Sequence, residues 1–216
     1  MASNLTRDEA HDRAGLLNVR AYHVELDLTG GEATFTSVTT VTFSCSRPGA
    51  GTFVDLTAPA VSTITLNGEP VGTGSFDGNR ITVANLAADN ELRVTAECAY
   101  SRSGEGLHRF TDPVDGSVYL YTDFETSDAH RVYACFDQPD LKATFEFTVT
   151  VPAGWQVVSN MAPDVTGELA ADGTARWHFA PSPLMSTYIS AIAAGPCRVT
   201  SKISSGSRYC ASDWRQ

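Results

Sequence analysis

Residues 22–28 read Tyr-His-Val-Glu-Leu-Asp-Leu, and the alternation they show excludes a helix. Tyr22, Val24, Leu26 and Leu28 fall on one face of an extended chain, with His23, Glu25 and Asp27 on the other. A period of two is what a strand buried on one side needs, whereas a helix would scatter these residues around its circumference. The period returns in the Thr/Val/Phe-rich run 33–45 and in shorter runs at 52–56, 62–66, 80–83 and 91–100. It continues at 118–123, 143–151, 155–159, 176–179 and 188–193. Gly30-Gly31, Asn67-Gly68 and Asp77-Gly78 separate several of these runs, and their residues tolerate the positive φ of tight reversals.

Turn signals at roughly ten-residue spacing are the mark of an all-β fold. The expectation is an antiparallel sandwich or a curved, saddle-like sheet, preceded by one short helix. That helix is predicted over 6–14, where Thr6 and Glu9 have the spacing of a capping box. No repeat or linker divides the chain, so residues 1–196 read as one domain. Residues 197–216 differ: Arg198, Lys202, Arg208 and Arg215 stand against Asp213 alone, and the period is weak. This tail is expected to be unstructured or foreign to the domain.

Charge and cysteine usage narrow the setting. With 25 acidic and 15 basic residues the chain carries a formal charge of −10, unsuited to nucleic acid or an anionic membrane. No apolar run approaches the ~20 residues of a membrane-spanning helix, and residues 1–13 lack the apolar centre of a signal peptide. Cys45, Cys98, Cys135, Cys197 and Cys210 are odd in number and widely spaced, which argues against a disulfide framework or a metal clip. Buried free thiols in a cytoplasmic protein are the expectation.

Few residues offer chemistry. None of the five histidines forms H-E-x-x-H, and there is no nucleophile elbow or phosphate-binding glycine loop. His108, His130 and Asp137 would have to meet from afar to hold a metal; hydrogen-bonded or surface histidines are the simpler reading. Cys135 lies near His130 but between Ala134 and Phe136, an apolar setting that suits an inert thiol. The acidic run 121–128 is more informative. Strand alternation would project Asp123 and Glu125 to the same side, where two carboxylates can take a cation such as an ammonium group. The competing reading is a solvated acidic loop.

Five segments in order carry a resemblance. Residues 5–10 with 22–28 open the series, followed by Asp137-Gln138-Pro139-Asp140, Lys142-Ala143-x-Phe145, Val158-Ser159-Asn160-Met161 and 183–188. Together they resemble the N-terminal domain of zinc aminopeptidases of the aminopeptidase N family, in its actinobacterial form, up to about Pro196. The resemblance implies that Glu125 binds the free α-ammonium of a peptide substrate, with Asp123 standing where family members often carry Gln. It also implies a structural role for Arg131, Asp137, Pro139 and Lys142, with Arg131 and Asp137 as an Arg–carboxylate pair supporting the loop. The family's zinc ligands and its G-x-M-E-N strand belong to a catalytic domain, and neither motif occurs in these 216 residues. This chain by itself is therefore expected to hold no zinc and to hydrolyse nothing, its partners being the catalytic domain and a peptide amino terminus. The alternative is a standalone β-sandwich that binds or docks without catalysis.

Overall fold

A computed structural model describes residues 4–204 and 207–213, with side chains as far as 197. The expected capping box starts the chain. Thr6 Oγ1 accepts from the Glu9 N–H at 3.2 Å, and Glu9 Oε2 accepts from the Thr6 N–H at 2.8 Å. These bonds satisfy donors that a helix start leaves free. Helix α1 (Arg7–Leu16) ends where Leu17 turns extended and opens β1 (Leu17–Asp27) without a loop.

The strands that follow are β2 (Thr34–Cys45), β3 (Thr52–Asp55), β4 (Ala60–Leu66), β5 (Glu69–Pro70), β6 (Arg80–Val83) and β7 (Asp89–Ala99). Next come β8 (Gly106–Thr111), β9 (Val118–Asp123), β10 (Thr144–Pro152), β11 (Gln156–Ser159) and β12 (Pro163–Leu169). The last are β13 (Thr174–Phe179), β14 (Ile192–Gly195), β15 (Arg198–Ser204) and β16 (Ser207–Asp213). Among the described residues no helix is long and apolar enough to cross a membrane.

Eight strands form one large sheet in the order β12-β13-β10-β1-β2-β7-β4-β5. A four-stranded sheet, β11-β14-β9-β8, and the pair β3-β6 complete the domain. The fold is all-β and mainly antiparallel, as expected, with one addition: β1 and β10 run parallel, Ala21 facing Thr144 and Asp27 facing Thr150. A parallel neighbour demands a long crossover, and residues 28–143 provide it. The small sheets lie within that crossover or after it.

One face of the large sheet is the core. Tyr22, Val24 and Leu26 of β1, Phe35, Val41 and Phe43 of β2, and Phe145, Phe147 and Val149 of β10 are all buried. Tyr22 stacks on Phe145 at 4.9 Å between centroids, and Phe43 meets Phe136 edge-on at 5.1 Å. The opposite face carries the polar half of each alternation, including the Arg93–Glu25 pair at 3.2 Å.

The segment 132–138, Val-Tyr-Ala-Cys-Phe-Asp-Gln, is a buried loop. Buried irregular backbone must find partners for every polar group. Cys135 exchanges two backbone hydrogen bonds with Asp55, at 2.8 and 3.0 Å. The Phe136 N–H donates to the Tyr22 hydroxyl at 3.0 Å, and the Asp137 N–H donates to Asp55 Oδ2 at 3.1 Å. Arg13, 2% exposed, donates to Asp55 Oδ2 at 2.7 Å and to Gln138 Oε1 at 3.0 Å. Gln138 closes the circuit by donating to the Ala10 carbonyl of α1 at 2.9 Å.

The structure departs from the sequence reading in several places. β5, β8 and β12 form where no strand was expected. The run 188–193, expected as a strand, is divided: Thr187–Ile189 is a single 3-10 turn, and β14 begins only at Ile192. The tail, expected to be unstructured, pairs β15 with β16 as an antiparallel hairpin from Arg198↔Asp213 to Ser204↔Ser207.

Two predictions follow from the packing. Asp55→Ala strands the buried Arg13 cation and should cost about 3–5 kcal/mol, read as a lowered urea midpoint. The second concerns Glu9, whose carboxyl is held down to about 2, from 4.5, chiefly by its hydrogen bond from Arg80. A depressed carboxyl stabilises the fold above its unfolded value and loses that contribution as pH falls towards the folded one. The stability gap between the parent chain and Glu9→Gln should therefore be open at pH 7 and close between about 4.5 and about 2, as thermal melts at several pH values would show.

Candidate functional site

Strand β9 delivers its last residue, Asp123, to a tight loop. Phe124 is buried against Tyr133, edge to face at 6.0 Å, while Asp123 and Glu125 on either side of it are exposed. The exposed–buried–exposed sequence at 123–125 thus leaves both carboxylates open to solvent. Asp123 Oδ1 accepts from the Glu125 N–H at 3.4 Å. Among the described residues neither carboxylate meets a cationic side chain.

The rest of the loop is tied down. The Asp128 N–H donates to the Phe124 carbonyl at 3.1 Å, and a 3-10 turn follows at Ala129–Arg131. Arg131 donates through Nε to Asp128 Oδ1 at 2.5 Å, and its Nη2 lies 3.2 Å from Glu105. Its side chain passes over Gly106, the residue opposite Asp123 in the β8–β9 register. A Cβ there would sit 3.0 Å from Arg131 Cβ, and the φ of +67° is left-handed, so glycine is needed on both counts.

Asp137 does not pair with Arg131, contrary to expectation. Its carboxylate accepts from the His130 N–H at 3.2 Å and from Thr187 Oγ1 at 2.7 Å, and it lies 2.8 Å from His130 Nδ1. The correction has a simple cause. Arg131 finds Asp128 three residues back, within reach along the turn, while Asp137 points inward where a Thr and a His satisfy it. Pro139 is exposed, and its carbonyl accepts from Ser186 Oγ at 2.6 Å. Lys142 is exposed and makes no contact among the described residues, whereas its neighbour Ala143 exchanges backbone bonds with Met185 at 3.0 and 3.1 Å. Asn160 in turn donates to the Ile189 carbonyl at 2.9 Å and accepts from the Ala191 N–H at 2.7 Å. Segments far apart in sequence therefore meet around the loop's base.

A cleft of about 330 Å³ lies beside this base, lined by Thr126, Asp128, His130 and Asp137 together with Asp55 and Arg80. His108 does not join His130 and Asp137; its Nδ1 accepts from the Gly104 N–H at 3.1 Å and its ring lies 4.9 Å from that of Tyr121. Among the described residues no group of three His, Cys, Asp or Glu is placed to hold a metal ion. Cys135 is fully buried, and burial, reinforced by Asp137 and Asp55, pushes its thiol well above the ordinary range. It is not a nucleophile. The Arg13–Asp55 node was invisible to sequence reasoning, because helix α1 offers no apolar stripe to mark Arg13 as inward-facing.

Comparison with known proteins places this geometry. Residues 19–189 match the family described as the peptidase M1 N-terminal domain. The chain is 49% identical over 199 residues to aminopeptidase N of Streptomyces lividans, a match that covers 90% of this chain and 22% of that protein. It is 40% identical over 101 residues to probable aminopeptidase 1 of Saccharolobus solfataricus, covering 47% of this chain and 13% of the relative. It is 35% identical over 112 residues to the alanine/arginine aminopeptidase of Saccharomyces cerevisiae, again covering 13% of the relative. The chain spans about a fifth of its Streptomyces relative or less of the others. With residues 19–189 matched, the chain belongs to the M1 peptidase family, of which it carries the N-terminal domain.

Proposed function

We propose that this domain anchors the free amino terminus of a peptide substrate in an M1 aminopeptidase, with Glu125 as the principal anion and Asp123 beside it. The observation that carries the reading is the contrast within one loop. Asp123 and Glu125 are exposed and, among the described residues, lack a cationic partner, while Asp128, Arg131, His130 and Asp137 around them are all engaged. A carboxylate held ready in this way binds an ammonium by charge-assisted hydrogen bonds. A fixed ammonium also fixes the scissile bond one residue away, which lowers the entropy cost of reaching the transition state. Acetylation of the amino terminus removes both the charge and two donors, so a blocked peptide is rejected.

The relatives are named as aminopeptidases, and hydrolysis of the bond would rest on the part of such proteins that this chain does not span. Among the described residues no group of three His, Cys, Asp or Glu fits a zinc ion. On this reading the domain alone binds amino termini weakly and cleaves nothing. Free, buried Cys45, Cys98 and Cys135 fit a reducing, cytoplasmic setting.

The test joins this domain to the remaining length of Streptomyces lividans aminopeptidase N, in place of that protein's own first domain. Activity on a free-amine dipeptide substrate should appear, and Glu125→Ala should lower kcat/KM by about 2–4 kcal/mol of transition-state stabilisation. Unchanged kinetics in that variant would remove Glu125 from the site. An inactive hybrid, where rejoining the Streptomyces halves restores activity, would favour a domain that binds or docks by itself.

A further inference from the structure

A second cluster lies on the polar face of the large sheet, away from the loop, and it does not depend on the reading above. His178 of β13 uses both ring nitrogens. Nε2 lies 2.8 Å from Glu146 Oε1 of β10, and Nδ1 lies 2.5 Å from Asp164 Oδ1 of β12. An ionised carboxylate only accepts, so a ring bonded to two of them must donate from both nitrogens. That requires the doubly protonated imidazolium.

The strand it reaches on the outer side needs such help. β12 is the last strand of the sheet, and its ladder with β13 slips twice, between Pro163 and Val165 and again between Val165 and Glu168. Val165 faces His178 itself across the ladder, between the two slips. An edge strand that begins with proline and pairs in fragments has few backbone bonds to hold it.

We propose that His178 is a proton-operated fastener of this edge: as imidazolium it bridges Glu146 and Asp164 and holds β12 on the sheet, and loss of its proton releases β12 from β13. The other charges facing the ring are Glu168 of β12 and Arg176 of β13, opposite one another in the ladder. Beyond Glu146 stands His23 of β1, its register partner, and beyond that Glu25, which Arg93 engages. The direction of the ring's proton affinity agrees. Hydrogen bonds to Glu146 and then Asp164 raise it from 6.5, against a smaller opposing effect of burial. A raised histidine stabilises its state fully below the unfolded value and loses the contribution as pH rises through the folded one. The device therefore holds fully below about 6.5 and lets go as pH rises through the ring's raised value. At the acid end the hydrogen bond from His178 lowers the Asp164 carboxyl, so the Asp164 arm of the bridge survives until pH falls through that depressed value.

The experiment follows the His178 ring nitrogens of the 216-residue chain by ¹H–¹⁵N NMR from pH 5 to 9, alongside hydrogen exchange of the β12 and β10 amides, corrected for intrinsic rates. The expected result is a ring that keeps both nitrogens protonated up to a midpoint above 6.5. Protection of Val165 and Glu168 should fall through the ring's midpoint, by up to about tenfold for each unit that midpoint exceeds 6.5, while β10 stays protected. His178→Gln should make β12 protection independent of pH over this range, and Asp164→Asn should lower the ring's midpoint. A ring midpoint at or below 6.5, or β12 protection that does not change as the ring titrates, overturns the proposal. Both readouts come from the parent chain, so they decide the matter even where a variant fails to fold.

Discussion

The buried loop at 132–138 depends on the Arg13–Asp55 pair, and the rest of the domain is built around that loop. Irregular backbone inside a protein is costly because its N–H and C=O groups lose water. Asp55 resolves this at one point by bonding the loop through its backbone and its side chain. Its own buried charge is then balanced by Arg13, which lies over the Phe53 ring at 4.8 Å. Such a pair is not strongly stabilising in net terms, because desolvation offsets much of the attraction. Its effect is positional. Helix α1, strand β3 and the loop can assemble in one arrangement only, since any other leaves a charge unpaired in the core.

That arrangement governs the candidate site. His130, just before the buried run, and Asp137, near its end, are joined at 2.8 Å, and Thr187 brings the 3-10 turn before β14 to the same carboxylate at 2.7 Å. The loop bearing Glu125 is thus bounded on one side by β9 and on the other by a node that reaches Asp55 through the Asp137 N–H. The motif Asp137-Gln138-Pro139 turns out to be a junction. Asp137 serves the loop, Gln138 serves α1, and the Pro139 carbonyl serves Ser186.

Legibility followed periodicity. β1, β2, β7 and β10 alternate cleanly because one face is core and the other is water, and the sequence displays them. β8 was missed because its burial falls off along its length, from Gly106 and Leu107 inward to Phe110 and Thr111 outward, with no period of two. β12 was missed for a related reason: its register slips and none of it is buried, so it alternates only between half-buried and exposed residues. Asp123 and Glu125 are exposed on either side of the buried Phe124, an alternation that a single step of strand geometry suggests. The partner of Asp137 could not be read, since choosing among Arg131, His130 and Thr187 requires knowing which way the turn at 129–131 faces. The parallel β1–β10 contact lay out of reach as well, for no local pattern records a pairing across such a separation.

One consequence ties the charges together. Arg131 is the cation nearest in sequence to Glu125, and it is committed elsewhere, to Asp128 and Glu105. Had it swung to Glu125, the anionic end of β9 would be neutralised from within and closed to an incoming ammonium. Gly106 prevents this by leaving room for the Arg131 stem to lie across the start of β8, where a methyl group would meet it at 3.0 Å. On the proposed reading, a glycine with no side chain of its own keeps the site negative, through the path it allows an arginine to take.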